Sequence, residues 1–442
     1  MAVALFALIG IVVGATALVI ALDRRGAQVA TTEPTRAAIK LSEFAIKGDL
    51  EVPPGPVVLE VSNGGAQVHN LQLDKGPKKT VDIPARGSDV LELGNLSAGT
   101  YELICTIPGH ADSGMKTTLT VNAGAMLAAA STGHSSHGGD QIDYAAMDAA
   151  MEETIKKFPA KTSGKGNQPL AARTGADGAK EFDVTAEIID WEVEPGNIVK
   201  AWAYNGMVPG PYIKVNLGDK VRFKLTNKLP MGTDVHFHGV SLPNSMDGVA
   251  PVTQPLIAPG QSFTYEFVAE KPAVAMYHAH HHAQMQVPNG LFGAFQIGDV
   301  ELPRGRSISG TAIPADLKLA AEFPMVLNDA GVIGLSLNGK GFPATDPYAF
   351  KVGDWVLVHY MNEGLQVHPM HPHQFPQLVV ARDGIPLDHP YFADTLTVAP
   401  GERYSVLMHV DKPGTWVWHC HILNHVERED GMFGMVTALI AS

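Results

Sequence analysis

The residues of this chain best suited to chemistry fall in three clusters. Towards the C-terminus, His368-Pro-Met-His371-Pro-His373 is followed by Trp418-His419-Cys420-His421-Ile-Leu-Asn-His425 and then Gly431-Met432. The middle carries His236-Phe-His238-Gly and Tyr277-His278-Ala-His280, and the first part has His69 ahead of Cys105-Thr-Ile-Pro-Gly-His110-Ala-Asp-Ser-Gly-Met115. Side chains at i and i+2 of a strand share a face, so each His-x-His aims two imidazoles at one place. His419-Cys420-His421 instead sends the sulfur to one face and both imidazoles to the other. A metal on each face would be joined through a few covalent bonds, coupling an electron-accepting site to a second cluster. The plainer readings are a solvated histidine patch for either His-x-His alone, a buried thiol at Cys105, and one disulfide between the only two cysteines. The run His278–His282 also allows a register that pairs His280 with His282.

Two imidazoles, a thiolate and a weak thioether make a blue-copper electron-transfer site. His69, Cys105, His110 and Met115 supply that set, and the stretch resembles the copper loop of plastocyanin-like cupredoxins.

These ligands need a scaffold of strands. Lys220-Val-Arg-Phe-Lys-Leu-Thr226 and Arg403-Tyr-Ser-Val-Leu-Met-His-Val410 alternate with the period of half-buried strands. A helical pattern is clear only over 145–158, inside a polar, Gly-rich stretch that reads as a linker over 123–178. Turn signals repeat: Ile83-Pro-Ala-Arg-Gly, Ile257-Ala-Pro-Gly-Gln and Val398-Ala-Pro-Gly-Glu each precede a strand, and at the same distance beyond them stand Cys105, Ala279 and Cys420. One scaffold is used three times, and the middle copy lacks its cysteine. The expected fold is all-β, three Greek-key sandwiches over 35–122, 179–302 and 303–442.

A chain of 442 residues, 45% hydrophobic, can bury several cores. Its net charge of −13, without a basic block, excludes a nucleic-acid partner. Residues 2–22 are uncharged and apolar, long enough to span a bilayer, so a signal or anchor is expected over 1–25. Arg24 and Arg25 alone would hold the body in the cytoplasm. A copper enzyme of this kind is nevertheless expected outside it, anchored or secreted.

The set of motifs over about 180–440 resembles the multicopper oxidase family, here with an additional fused cupredoxin. The resemblance implies type 1 copper at His368, Cys420, His425 and Met432, type 2 copper at His236 and His371, and a type 3 pair at His238, His278, His280, His373, His419 and His421. About five coppers per chain are implied. It also implies a proton-delivering acid at Asp247, in Ser245-Met-Asp-Gly, for which a turn cap is the plainer role. The sequence departs from the pattern in the six residues between His425 and Met432 and in Leu423, where some ferroxidases carry glutamate. The implied reaction couples one-electron oxidation of a phenol-like or metal-ion donor, or a redox protein, to reduction of dioxygen to water. Cys420 would be the entry point. A copper nitrite reductase is the alternative, but would need a cysteine where Ala279 stands. A copper carrier would explain the spare His134 and His137, though not two complementary half-clusters. Because the contributing units are adjacent, two-domain relatives imply a homotrimer with clusters between subunits. The N-terminal unit, lacking His-x-His, is expected to relay electrons or dock, with a cuttable linker near Gly138-Gly139.

Overall fold

Residues Lys220–Asn227 show how the sandwiches are built. Val221, Phe223 and Leu225 point into the core while Lys220, Arg222 and Lys224 face outwards, as a pleated strand with one wet face requires. The computed structural model describes residues 34–122 (apart from 43–44, 66–67, 75, 77, 85, 108–109 and 112–114), 144–428 and 431–442. The segment 1–25, His134, His137 and Gly138-Gly139 lie outside the described residues.

The expected all-β architecture is present. The three units pair sheets of four and four, five and four, and six and five strands. In each, residues from both sheets fill one core: Ile39 with Leu119, Phe223 with Phe295, Val358 with Leu439. The wiring repeats as the turn signals do. The first strand of each unit lies parallel to a later one, Thr35–Ser42 on Gly55–Asn63, Lys180–Glu194 on Lys220–Asn227 and Leu319–Ala330 on Trp355–Asn362. A closing antiparallel pair recurs at Gly99–Ile104 with Lys116–Val121, Ala273–His278 with Phe292–Ile297 and Gly414–Cys420 with Val436–Ala441.

A buried asparagine ends one strand of each unit and ties a loop. Asn63, Asn227 and Asn362 donate their Nδ2 protons to the carbonyls of Ile83, Ile257 and Val398, at 2.8–2.9 Å, and these are the first residues of the three turn signals. Each Oδ1 accepts a backbone N–H two residues on, from Gly65, Leu229 and Gly364. A buried amide with both ends satisfied fixes the loop that faces the ligand-bearing one.

The stretch expected as linker behaves differently. Helix α1 (Tyr144–Lys156) lies against Gly431–Met432, where Thr154 Oγ1 accepts the Met432 N–H at 3.0 Å. Gly431 has φ +114°, and a Cβ there would meet Thr154 Oγ1 at 2.6 Å, so only glycine lets the helix approach. Beyond it the chain is a strap. Phe158 stacks on Phe342 at 5.1 Å, the amides of Ala160, Asn167 and Leu170 find carbonyls of Pro343, Pro209 and Tyr212, and Arg173–Thr174 pairs with the first strand of the middle unit. Its polar, glycine-rich composition reads as linker because it buries backbone bonds rather than side chains.

The middle and last sandwiches share an apolar seam containing Trp191, Val274, Met276, Phe292, Val326 and Met361. A polar knot crosses it: Glu322 accepts from Gln296 Nε2 at 2.7 Å, Lys214 Nζ at 2.9 Å and His359 Nε2 at 3.1 Å. Burial alone would raise the Glu322 carboxyl, but the hydrogen bonds from His359, Lys214 and Gln296 win and hold it at about 2. A carboxyl depressed in the folded state adds stability above its ordinary titration range and loses it as pH falls through that range towards the folded value. Glu322→Gln should therefore cost about 1–3 kcal/mol at neutral pH, with the deficit shrinking below about pH 4. Urea unfolding of both proteins at pH 7 and pH 3 measures this; an equal deficit at both would show that the charge is not what holds the seam.

Candidate metal centres

Cys105, at the end of its strand, donates its N–H to the carbonyl of Met115 at 3.1 Å, and the Met115 N–H returns to the carbonyl of His110 at 2.9 Å. These two bonds close the loop so that cysteine, histidine and methionine point inward together. On the facing loop His69 bridges Ile83. The donor atoms of His69, Cys105 and His110 lie within 4.8 Å of one another, with His69 Nδ1 to His110 Nδ1 at 3.1 Å and Cys105 Sγ to His110 Nδ1 at 3.5 Å. All four side chains are buried.

The same clamp recurs in the last unit and brings a different methionine from the expected one beside Cys420. Cys420 N–H donates to the carbonyl of Met435 at 3.1 Å, and Met435 N–H to that of His425 at 3.0 Å. Met435, fully buried, thus stands where Met115 does. Met432, the residue expected from the sequence, is half-buried, and its N–H goes to α1. The extra residues between His425 and the final strand form a small hairpin, Glu427–Arg428 with Gly431–Met432, which carries Met432 out of register. The methionine immediately before the last strand, as in Met115-Lys116, was the available signal. His368 faces Val398 across its ladder as His69 faces Ile83, with Cys420 Sγ 3.7 Å from His368 Nδ1 and 3.6 Å from His425 Nδ1.

Both triads leave an ion-sized gap among converging nitrogen and sulfur donors, the spacing taken by ligands at about 2.0–2.3 Å from one ion. They are poised differently. Burial works against the Cys105 thiolate, but hydrogen bonds from His110, His69 and the backbone bring that thiol down to about 6. Burial pushes Cys420 up to about 12, and holds His368 near 3 and His425 near 4, so both imidazoles are neutral ligands. Both cysteines are free thiols, which sets the disulfide reading aside.

The middle unit keeps the clamp and has lost the ligands. Ala279 N–H donates to Leu291 and Leu291 N–H to Gln286, both at 3.1 Å, and Thr233 bridges Ile257. Thr233, Ala279, Gln286 and Leu291 therefore occupy the positions of histidine, cysteine, histidine and methionine, and Thr233 Oγ1 donates to Gln286 Oε1 at 2.7 Å where a metal would otherwise sit.

Eight further histidines gather in two groups of four. His236 pairs across the sheet with His278, and ring centroids of His236, His238, His278 and His280 lie 5.5–5.9 Å apart. His280, rather than His282, completes this group; His282 packs on His281 at 4.3 Å. In the last unit His371 pairs across with His419, and the rings of His371, His373, His419 and His421 lie 5.0–5.7 Å apart. Backbone carbonyls set the tautomers: Nδ1 of His236, His278, His371 and His419 donates to Asp247, Ala279, Asp394 and Cys420 respectively, at 2.7–3.1 Å. Each Nε2 is thereby left as a lone-pair donor. Burial lowers His278 to about 3, and burial with the Arg403 charge lowers His238 to about 4. Among the described residues these ring contacts run within each group, not between them, and His280, His373 and His421 are exposed.

Asp247 is placed by this arrangement. Its Oδ1 is 3.5 Å from His236 Nδ1, and Gly248 beside it has φ +82° with no room for a Cβ against the Val235 carbonyl. Asp234, which the sequence did not single out, is a positioning residue: fully buried, it accepts the N–H groups of His280, His281 and Ala250 at 2.7–2.9 Å. Nothing in its sequence context distinguished it from a surface carboxylate.

Comparison with known proteins agrees with this geometry. Residues 185–301 and 314–439, together more than half of the chain, match two multicopper oxidase family models, and residues 52–129 match a sulfocyanin domain. An oxidoreductase, OpS5, of Beauveria bassiana is 31% identical over 49% of this chain and 40% of its own length. The chain spans about two fifths or less of the length of the first curated relatives it matches. Among solved structures, a multicopper oxidase, mgLAC, is 32% identical with a TM-score of 0.52 over 59% of this chain and 86% of that one. A blue copper oxidase from Nitrosomonas europaea is 29% identical with the same TM-score over 59% and 85%. With its cysteine–histidine triads, its paired histidine groups and these two family matches, the chain belongs to the multicopper oxidases and carries a cupredoxin unit ahead of them.

Proposed function

We propose that the protein is a laccase-like oxidase that takes single electrons from a reducing donor at the His368–Cys420–His425 triad and passes them to dioxygen at a cluster held by the two four-histidine groups. The observation that carries this reading is the strand Gly414–Cys420. It puts the Cys420 sulfur in the core beside His368 and His425, while His419 and, one residue past its end, His421 turn to the opposite face. Copper held in these sites would cycle between its two common oxidation states, so that four single electrons, with four protons, are combined in reducing dioxygen to two waters. The chain's own groups supply the rest. Met435 closes the Cys420 pocket from the side of the clamp. Asp247, 3.5 Å from His236 Nδ1 and partly open to solvent, would pass protons towards the cluster. A donor of the phenol or metal-ion class fits the family; nitrite reduction is not favoured, because eight imidazoles in two groups exceed what one three-histidine copper needs.

Among the described residues ring contacts stay within each histidine group, and His280, His373 and His421 are exposed, which supports closure of the cluster between neighbours. A middle unit meeting the last unit of the next subunit is a head-to-tail contact that must close into a ring, and the reading is a homotrimer outside the cytoplasm with about five coppers per chain.

Replacing Met435 by Leu should shift the absorbance and the potential of the Cys420 site while Met432→Leu leaves both unchanged, because the axial side chain tunes such sites; visible spectra and redox titration decide between the two methionines. Cys420→Ser should abolish oxygen consumption with phenolic donors yet retain a blue band from Cys105. A colourless variant would remove the N-terminal site from the proposal. Light scattering on the copper-loaded protein should give three times the chain mass of 47.0 kDa, and a fully active species of one chain mass would show that the cluster closes within a chain.

A further inference from the structure

The last unit buries its triad completely: His368 and Cys420 are 0% and His425 is 1% exposed. A donor therefore meets the surface around the triad rather than a ligand. Three large apolar side chains are exposed beside the triad in the chain. Leu365, Val367 and Leu423 are 58%, 42% and 64% exposed, and each lies within three residues of His368 or His425. Leu365 is held there, since its N–H donates to Asp329 Oδ1 at 2.6 Å while Asp329 Oδ2 lies 3.7 Å from His368 Nε2. Large apolar side chains left in water next to a buried triad are suited to contact with another apolar surface.

We propose that this collar is the docking site for the N-terminal cupredoxin unit of the same polypeptide, which passes electrons from the Cys105 site to the Cys420 site. Two observations select that occupant. The cupredoxin presents a matching apolar residue at its own triad, Val68, 45% exposed and next to His69. The tether also leads to the last unit. Helix α1 is bonded to Met432, within the loop that joins His425 to Met435, and only the 21 residues from 123 to 143 separate it from Asn122 at the end of the cupredoxin. Even fully extended those residues reach no further than about 75 Å. A module tied that closely faces its target at an effective concentration on the order of millimolar, so a small apolar contact suffices for rapid, reversible docking. The electron leaves a reduced Cys105 centre, which is thereby oxidised, and reduces the Cys420 centre; no proton or bond changes partners.

This inference rests on the reading that both triads hold copper. Full-length, copper-loaded protein carrying a benzophenone photocrosslinker in place of Val68 should, on illumination, yield peptides joined to the segment containing Leu365, Val367 or Leu423. Laser-flash reduction should show transfer between the two blue centres that slows at least about tenfold in Leu365→Asp and in Val367→Asp, with both blue bands retained. Crosslinks confined to other surfaces, or unchanged transfer in both variants, would overturn the docking site. Dissociation of the oligomer by either variant would also overturn it, by assigning the collar to a contact between subunits. Absence of a blue band from either triad in the unmodified protein would instead bring down the copper reading itself, so the two failures are separable.

Discussion

Two backbone hydrogen bonds recur in all three sandwiches and shape what each can bind: cysteine N–H to methionine carbonyl, and methionine N–H to histidine carbonyl. They persist at 3.1 Å each in the middle unit, where the side chains are Ala279, Leu291 and Gln286. A loop that keeps its shape without ligands is shaped by the protein and not by a metal. The asparagine ties at Asn63, Asn227 and Asn362 fix the opposite loop, so both sides of each triad are set before any ion arrives. Such preorganisation keeps rearrangement small when the charge on the metal changes.

The second consequence of the clamp concerns the cluster. Because Cys420 must face its own loop, strand alternation leaves His419 and His421 no choice but the outer face, and the Cys420 carbonyl then orients the His419 ring at 2.8 Å. The middle unit follows the same logic without a cysteine: Ala279 sits in the core, its carbonyl holds His278 at 3.0 Å, and its neighbours point outwards. One scaffold therefore makes a cysteine–histidine pocket on the inside and a histidine group on the outside, and the middle unit keeps the outer group without the inner ligands. Thr233 and Gln286 satisfy one another in the vacated space, so the buried polar groups are paired rather than orphaned.

Much of this was legible from residues alone. The histidine pairs, the His-Cys-His strand and the threefold spacing of turn and ligand loop are local patterns that strand alternation converts directly into geometry. Met435 was not, because the inserted hairpin between His425 and the last strand breaks the sequence spacing, and only the backbone clamp restores the equivalence with Met115. Asp234 and the three asparagines were missed for a related reason. Their decisive partners on other segments lie between 16 and 47 residues away, and a buried polar residue with distant backbone partners looks in sequence like any surface one. The strap after α1 was read as linker since its contribution is made by peptide groups, which composition does not report.

The two triads share a ligand set and differ in how they receive a metal. With its thiol near 6, Cys105 is largely thiolate at neutral pH and needs to release little or no proton on binding. Cys420, pushed by burial to about 12, must give up a proton to bind, so its affinity falls as pH falls over the whole neutral range. The origin is local: His69 and His110 approach the Cys105 sulfur closely enough to hydrogen-bond it as a thiolate, whereas His368 and His425 stand slightly further from the Cys420 sulfur and the pocket around it is apolar, with Trp418, Met370 and Met435. Two buried triads with one ligand set would therefore differ in how strongly metal loading is coupled to proton release.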